Sequence, residues 1–278
     1  MAMTLTQAEL TTAQPKKRDR RRSGNAPRSR VVIYVGRLLL LVVFIGLWEI
    51  ASRAGWIDVA LFGRPSGVVS AMKDYLPSDR AIESAKATGE AVLLSFVIGS
   101  LSGTIMGLLL GIYPTFDAIV GPFMAPINSV PRIALVPLFL AWFGLTIQAK
   151  VVLAVSIVFF ILAENARSAV QSVEPDLMTM ARVVGLRQLP VLIKVVLPSA
   201  VPTMFAGLRL AFTYSLLGVI ASEMIAATNG MGQDIVFFSS AYQINTTFAI
   251  LVELMIAAML VNLVFSASER RLLRWQRS

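Results

Sequence analysis

Apolar positions gather into long unbroken blocks along this chain, with little of the alternation that marks half-buried strands. The first block covers 31–50 and follows a polar, basic stretch. Others run over about 87–112, 116–143, 149–162, 203–227 and 247–266. A helix of about 20 apolar residues crosses a hydrocarbon core roughly 30 Å thick. Five blocks approach or exceed that length, and the fourth reaches it if its helix continues to about residue 169. Backbone polar groups have no water partner in lipid, so unbroken runs of this kind must be helical, and barrel strands do not fit them. The pattern predicts an all-α polytopic membrane protein with six transmembrane helices.

Glycine and proline punctuate the blocks. Gly99, Gly103, Gly107 and Gly111 recur every four residues, which places four small residues on one helix face and predicts close approach of a neighbouring helix. A role in lining a substrate path is the less favoured reading of that face. The third block holds Pro122, Pro126, Pro131 and Pro137, so it cannot be a straight helix. Broken backbone at membrane depth is tolerated where it lines a cavity or is buried in protein.

Composition supports membrane residence and removes several chemistries. Of 278 residues, 56% are hydrophobic and 15% charged, against about 25% charged in soluble domains; mean hydropathy is +0.73. There are no cysteines and no histidines, which excludes thiolate chemistry, Cys/His zinc sites and imidazole proton shuttling. The net charge of +9 is concentrated at the ends, with eight Lys or Arg in residues 1–30 and four in 270–278. Clusters flanking spans follow the positive-inside rule and touch anionic lipid, so nucleic acid is not a predicted partner.

The expected organisation is therefore a disordered basic cytoplasmic tail (1–30), a six-helix transmembrane domain (31–268) and a basic cytoplasmic C-terminus (269–278). No small-residue cleavage site interrupts 31–50, which favours a retained first span over a signal peptide. The last external segment, 229–246, carries no Lys or Arg, as the rule requires. The first external segment departs from it, with Arg53, Arg64, Lys73, Arg80 and Lys86 beside Asp58, Asp74, Asp79 and Glu83.

The connection over about 165–202 is the most informative stretch, because loops in compact bundles are short. Pro175 suits a first helical turn, Glu174 and Asp176 complement its positive end, and Gly185 suits its stop. Leu177, Met180, Ala181 and Val184 form one apolar stripe. Periodicity alone leaves two readings open: a helix lying on lipid headgroups, or a helix seated in a partner protein.

Gly185, nine residues, then Val195-Val196-Leu197-Pro198 resembles the signature of binding-protein-dependent importer permeases, Glu-Ala-Ala, three residues, Gly, nine residues, Ile-x-Leu-Pro. Ala181 matches the second alanine, whereas Thr179 and Met180 replace the glutamate and the first alanine. Asn128-Ser129-Val130-Pro131-Arg132-Ile133-Ala134-Leu135-Val136-Pro137, continuing to Gly144, is similar to the third span of the nitrate/sulfonate/taurine/bicarbonate subgroup. So are Ala206-Gly207-Leu208-Arg209, Ala221-Ser222-Glu223-Met224 and Gly230-Met231-Gly232.

The resemblance implies a type I ABC importer permease fold in the bacterial inner membrane, with both termini cytoplasmic. It also implies ATPase subunits that bind ATP and Mg, a second permease copy forming a homodimer, and a periplasmic or lipid-anchored solute-binding protein. The coupling surface would comprise Glu174, Asp176, Thr179, Met180, Ala181, Arg182, Gly185, Leu197 and Pro198. No Gly-x-x-x-x-Gly-Lys-Ser/Thr loop occurs here, nor any nucleophile–base pair or metal-ligand cluster. The chain is thus expected to be a transport subunit with no catalytic residues, metal or cofactor of its own.

Ionisable residues within spans indicate function by default. Asn128, Arg132 and Glu223 are the candidate substrate path, for a small anion such as nitrate, a sulfonate or taurine, bicarbonate or a carboxylate. The competing structural reading pairs Arg132 with Glu223 or Glu253, and Arg209 is expected to reach headgroups or helix-end carbonyls. A thiamine precursor or riboflavin-like compound is the alternative cargo, and an ion-coupled secondary transporter the alternative class.

Overall fold

The computed structural model of the chain describes residues 30–173, 180, 183–184, 188–191, 194 and 197–272. It falls into two compact units, 1–47 and 48–278. The first unit holds the apolar body of helix α1 (Arg30–Arg53), whose mean hydropathy reaches 2.5.

The second unit begins with the last residues of α1 and continues through α2 (Val59–Phe62), α3 (Pro65–Tyr75) and α4 (Asp79–Ile112). Next come α5 (Pro114–Asn128), a 3₁₀ turn (Arg132–Leu135), α6 (Val136–Phe143) and α7 (Ile147–Gln171). After α8 (Gln188–Val191), helices α9 (Leu197–Ala226), α10 (Met231–Ser240) and α11 (Ile244–Leu272) complete it. Five helices are long and apolar enough to cross a membrane, and six spans result when the bent pair α5 and 132–143 counts as one. The described residues of the expected spans are helical apart from the break at 129–131 and the end position 227.

Boundaries follow local chemistry. Ser78 caps α4 by accepting a hydrogen bond from the Ala81 amide, with Asp79 in the first turn. Helix α4 therefore starts two turns before the apolar block does. The expected fourth span, 149–162 with its helix continuing to about 169, is the 25-residue helix α7. Two polar segments between spans hide further helices, α3 in the first and α10 in the second. The break between α5 and α6 bends the chain by 83°. Pro131 lacks the N–H that would continue α5, and Pro137 then sits in the first turn of α6.

Helix α4 packs along α7 through the glycine face. A Cβ on Gly99 would stand 2.7 Å from the Cβ of Val158, and one on Gly111 would stand 2.6 Å from that of Val170. On Gly103 and Gly107 it would collide with the carbonyl oxygens of Phe159 and Ala163. Only glycine lets the two backbones come this close, so packing is the role of the repeat. Helix α9 lies against the same core, where Ser95 and Ser215 share a buried hydrogen bond of 2.8 Å. Phe96, Phe212 and Phe265 form an aromatic trio with centroids 5.8–5.9 Å apart, Phe96 meeting the other two edge-on.

Candidate translocation site

Two groups of polar side chains lie within the spans, and they differ in how completely they are used. The first sits at the break after α5. Asn128 ends that helix and Arg132 opens the 3₁₀ turn, so the bend brings them together: Arg132 Nη2 donates to Asn128 Oδ1 at 2.7 Å. The guanidinium lies 4.8 Å from the centroid of the Phe160 ring on α7, a cation–π contact. Among the described residues no carboxylate pairs with it. Its remaining N–H donors are therefore available to an anion, and a planar guanidinium recognises oxyanions bidentately.

The second group is closed. Lys150, in the first turn of α7, donates to Glu223 Oε1 at 3.0 Å, to the Asn229 carbonyl at 2.7 Å and to Asn229 Oδ1 at 3.2 Å. Three acceptors match the three donors of an ammonium. Glu223, on α9, also accepts from the Gly232 amide at 2.9 Å and from the Thr88 hydroxyl of α4. Thr88 in turn accepts from the Met231 amide at 2.8 Å. A Cβ on Gly230 would strike the Glu223 carboxylate, and Gly230 has φ +120°, so glycine is required there on both counts. The side chains of Lys150 and Glu223 are 7% and 0% exposed. This knot ties α4, α7 and α9 to the start of α10.

Further along α10, Asp234 accepts from Tyr75 Oη at 2.7 Å and from Arg80 Nε at 2.8 Å. Arg80 also lies 4.0 Å from the Phe237 ring centroid. Burial, then the adjacent Asp234 carboxylate, push the Tyr75 phenol above its ordinary range. Two other pairs join helices: Arg167 of α7 with Asp117 of α5 at 2.8 Å, and Arg209 of α9 with Glu269 of α11 at 2.6 Å.

These contacts correct two expectations. Arg132 pairs with neither Glu223 nor Glu253: the countercharge of Glu223 is Lys150, and Glu253 has no partner among the described residues. Among the described residues Arg209 reaches Glu269 and not helix-end carbonyls. Of the candidate path residues, Asn128 and Arg132 are brought together, while Glu223 belongs to the closed knot. Lys150 was missed because it falls at the rim of the apolar block; its only signal was a lone cation beside a span. On the expected coupling surface, Glu174, Asp176, Thr179, Ala181, Arg182 and Gly185 lie outside the described residues, as does Leu177 of its apolar stripe. Met180 and Val184 are described, joined by a backbone hydrogen bond of 3.0 Å, and are 64% and 76% exposed. Leu197 and Pro198 open α9.

Five helices long enough to cross a membrane and a sixth span broken beside Arg132 define a multi-pass helical protein of the type I ABC importer permease fold. Two solved transporters share it. The MetNI methionine ABC transporter aligns with a TM-score of 0.62 at 19% identity, over 69% of this chain and 96% of that one. An amino acid ABC transporter aligns with a TM-score of 0.59 at 21% identity, over 73% and 97%. Residues 86–278 match the family of binding-protein-dependent transport system inner membrane components, and the chain belongs to that family. Relatives include a protein of Escherichia coli K12 named as an aliphatic sulfonates transport permease, SsuC, 29% identical over 90% of this chain and 95% of that protein. A Bacillus subtilis protein of the same name is 27% identical over 87% of each. The taurine transport system permease protein TauC of Escherichia coli K12 is 30% identical over 66% of this chain and 67% of its own length. The chain is thus an inner-membrane ABC importer permease subunit, whose family works with a solute-binding protein and an ATPase.

Proposed function

We propose that the chain, as one of two identical copies, forms the translocation path for a small oxyanion of the sulfonate, taurine, nitrate, bicarbonate or carboxylate class. ATP and Mg bind a separate ATPase subunit, both termini are cytoplasmic, and a binding protein delivers the solute from the far side. The observation that carries the choice of cargo is Arg132, a cation inside a span with no carboxylate partner among the described residues. Sulfonate and taurine transport in the names of the relatives supports the same class. Asn128 holds the guanidinium at the break, so that its free edge meets the passing anion. Charge-assisted hydrogen bonds are worth about 1.5–3 kcal/mol. ATP-dependent uptake of a sulfonate by the reconstituted assembly should therefore fall roughly tenfold or more in Arg132→Gln. Normal uptake by that variant would remove Arg132 from the path.

The segment around 165–202 is the coupling element in this reading. Met180 and Val184 present exposed apolar surface that suits a groove of the ATPase. Met180→Asp should leave basal ATP hydrolysis intact while abolishing transport and its stimulation by loaded binding protein. Retained stimulation would mean that the segment lies on the membrane surface without coupling.

A further inference from the structure

The Lys150 knot has a neighbour that it leaves unsatisfied. Helices α4, α9 and α11 form a half-open pocket of about 280 Å³, with Met231 of α10 among its lining residues. Its walls are almost wholly apolar, with Val92, Leu93, Phe212, Leu216 and Val261 prominent. The two polar lining side chains are Thr88 and Glu253. Thr88 is fully engaged, donating to Glu223 and accepting from the Met231 amide. Glu253 is not: its Oε2 is buried without a hydrogen-bond partner, and no described residue pairs with it. Nearby cations are already committed, Lys150 to Glu223 and Asn229, and Arg80 to Asp234.

A carboxylate on a half-buried residue with one oxygen sealed away from any donor or countercharge is costly, and intramembrane carboxylates pair or mark a ligand path. We propose that this cavity is a binding site for a small amphiphilic ammonium ion, the cationic head on Glu253 and the apolar body along Leu93, Phe212 and Leu216. At roughly 30 Å³ for each water-sized group the cavity holds about nine of them, which suits a primary amine with a short alkyl chain. An alcohol of the same length would gain the apolar contacts without the charge. The site is separate from the Arg132 break, takes the opposite charge, and does not depend on the oxyanion reading.

Equilibrium dialysis of radiolabelled hexylamine against the complete transporter in lipid nanodiscs tests this, with empty nanodiscs giving the partitioning background. The expected result is one saturable site per permease chain, weakened at least tenfold in Glu253→Gln and not displaced by equimolar hexanol. Gly89 supplies a second variant, because it lines the cavity yet a Cβ there meets nothing within 4 Å. Gly89→Leu should fold and fill the cavity, removing the site while Glu253 stays in place. Arg132→Gln should bind hexylamine as the wild type does. Undiminished binding in both Glu253→Gln and Gly89→Leu, equal displacement by hexanol, or binding no greater than in empty nanodiscs would each overturn the assignment.

Discussion

Lys150 and Arg132 both sit inside the spans of this permease, and their surroundings could hardly differ more. Lys150 is closed in, with each ammonium donor matched to an acceptor and its carboxylate partner shared among α4, α9 and α10. Arg132 stands at a helix break with one amide and one aromatic ring for company. The physical penalty for charge in lipid applies to both, but only one has been neutralised by the fold. A saturated buried pair organises helices, because each partner is tolerable only while the other is in place. An unsaturated cation at a break contributes little to the fold and is open to a ligand. Lys150 is built into the scaffold, and the proposed function assigns Arg132 to the route.

The most severe test of that division is to separate the buried pair. Lys150→Ala should destabilise the permease by about 3–5 kcal/mol, because Glu223 is left as an unpaired buried acid. Glu223→Ala should do the same to Lys150. Replacing both with leucine or methionine should recover much of the loss, which denaturant unfolding in mixed micelles can resolve as a coupling energy. Additive losses in the double variant would mean that the pair is not the unit that holds α7 to α9.

The glycine face gives the next largest effect. Gly107→Leu drives a side chain into the Ala163 carbonyl, and overpacking of this kind costs about 1–3 kcal/mol. The contrasting variant is Gly89→Leu on the same helix, where nothing lies within 4 Å. It should cost far less. Equal destabilisation of the two would show that close approach to α7 does not govern the face, since leucine favours the helix over glycine at both positions.

Much of this was legible in the chain because membrane helices announce themselves. Apolar blocks marked the spans, four glycines in register marked the tight face, and four prolines marked the third block as broken without telling which of them ends the helix. Other parts depended on contacts between residues far apart in sequence. Helix α3 carries charges that read as an external loop, yet its start is held by Asn245, which accepts from the Arg64 amide across 181 positions. Helix α10 is only ten residues long and is pinned by Asp234 to Tyr75 and Arg80. No local pattern tells Glu223 to choose Lys150 over Arg132. That choice is fixed by which face of α9 meets α7, and it is visible only once the helices are packed.

The smallest effect probes the open region directly. Asn128→Ala deletes one exposed hydrogen bond to Arg132, so stability should change by no more than about 1 kcal/mol. Arg132 would keep its charge and its place over Phe160 but lose the group that orients its plane. Uptake by the reconstituted assembly should then decline less than in Arg132→Gln, with the apparent affinity for the transported anion weakened more than the maximal rate. If Asn128→Ala instead destabilised the permease as strongly as Lys150→Ala, the break would be part of the scaffold, and the contrast between the two cations would fail. A measurable transport defect at unchanged stability would place Asn128 beside Arg132 on the route.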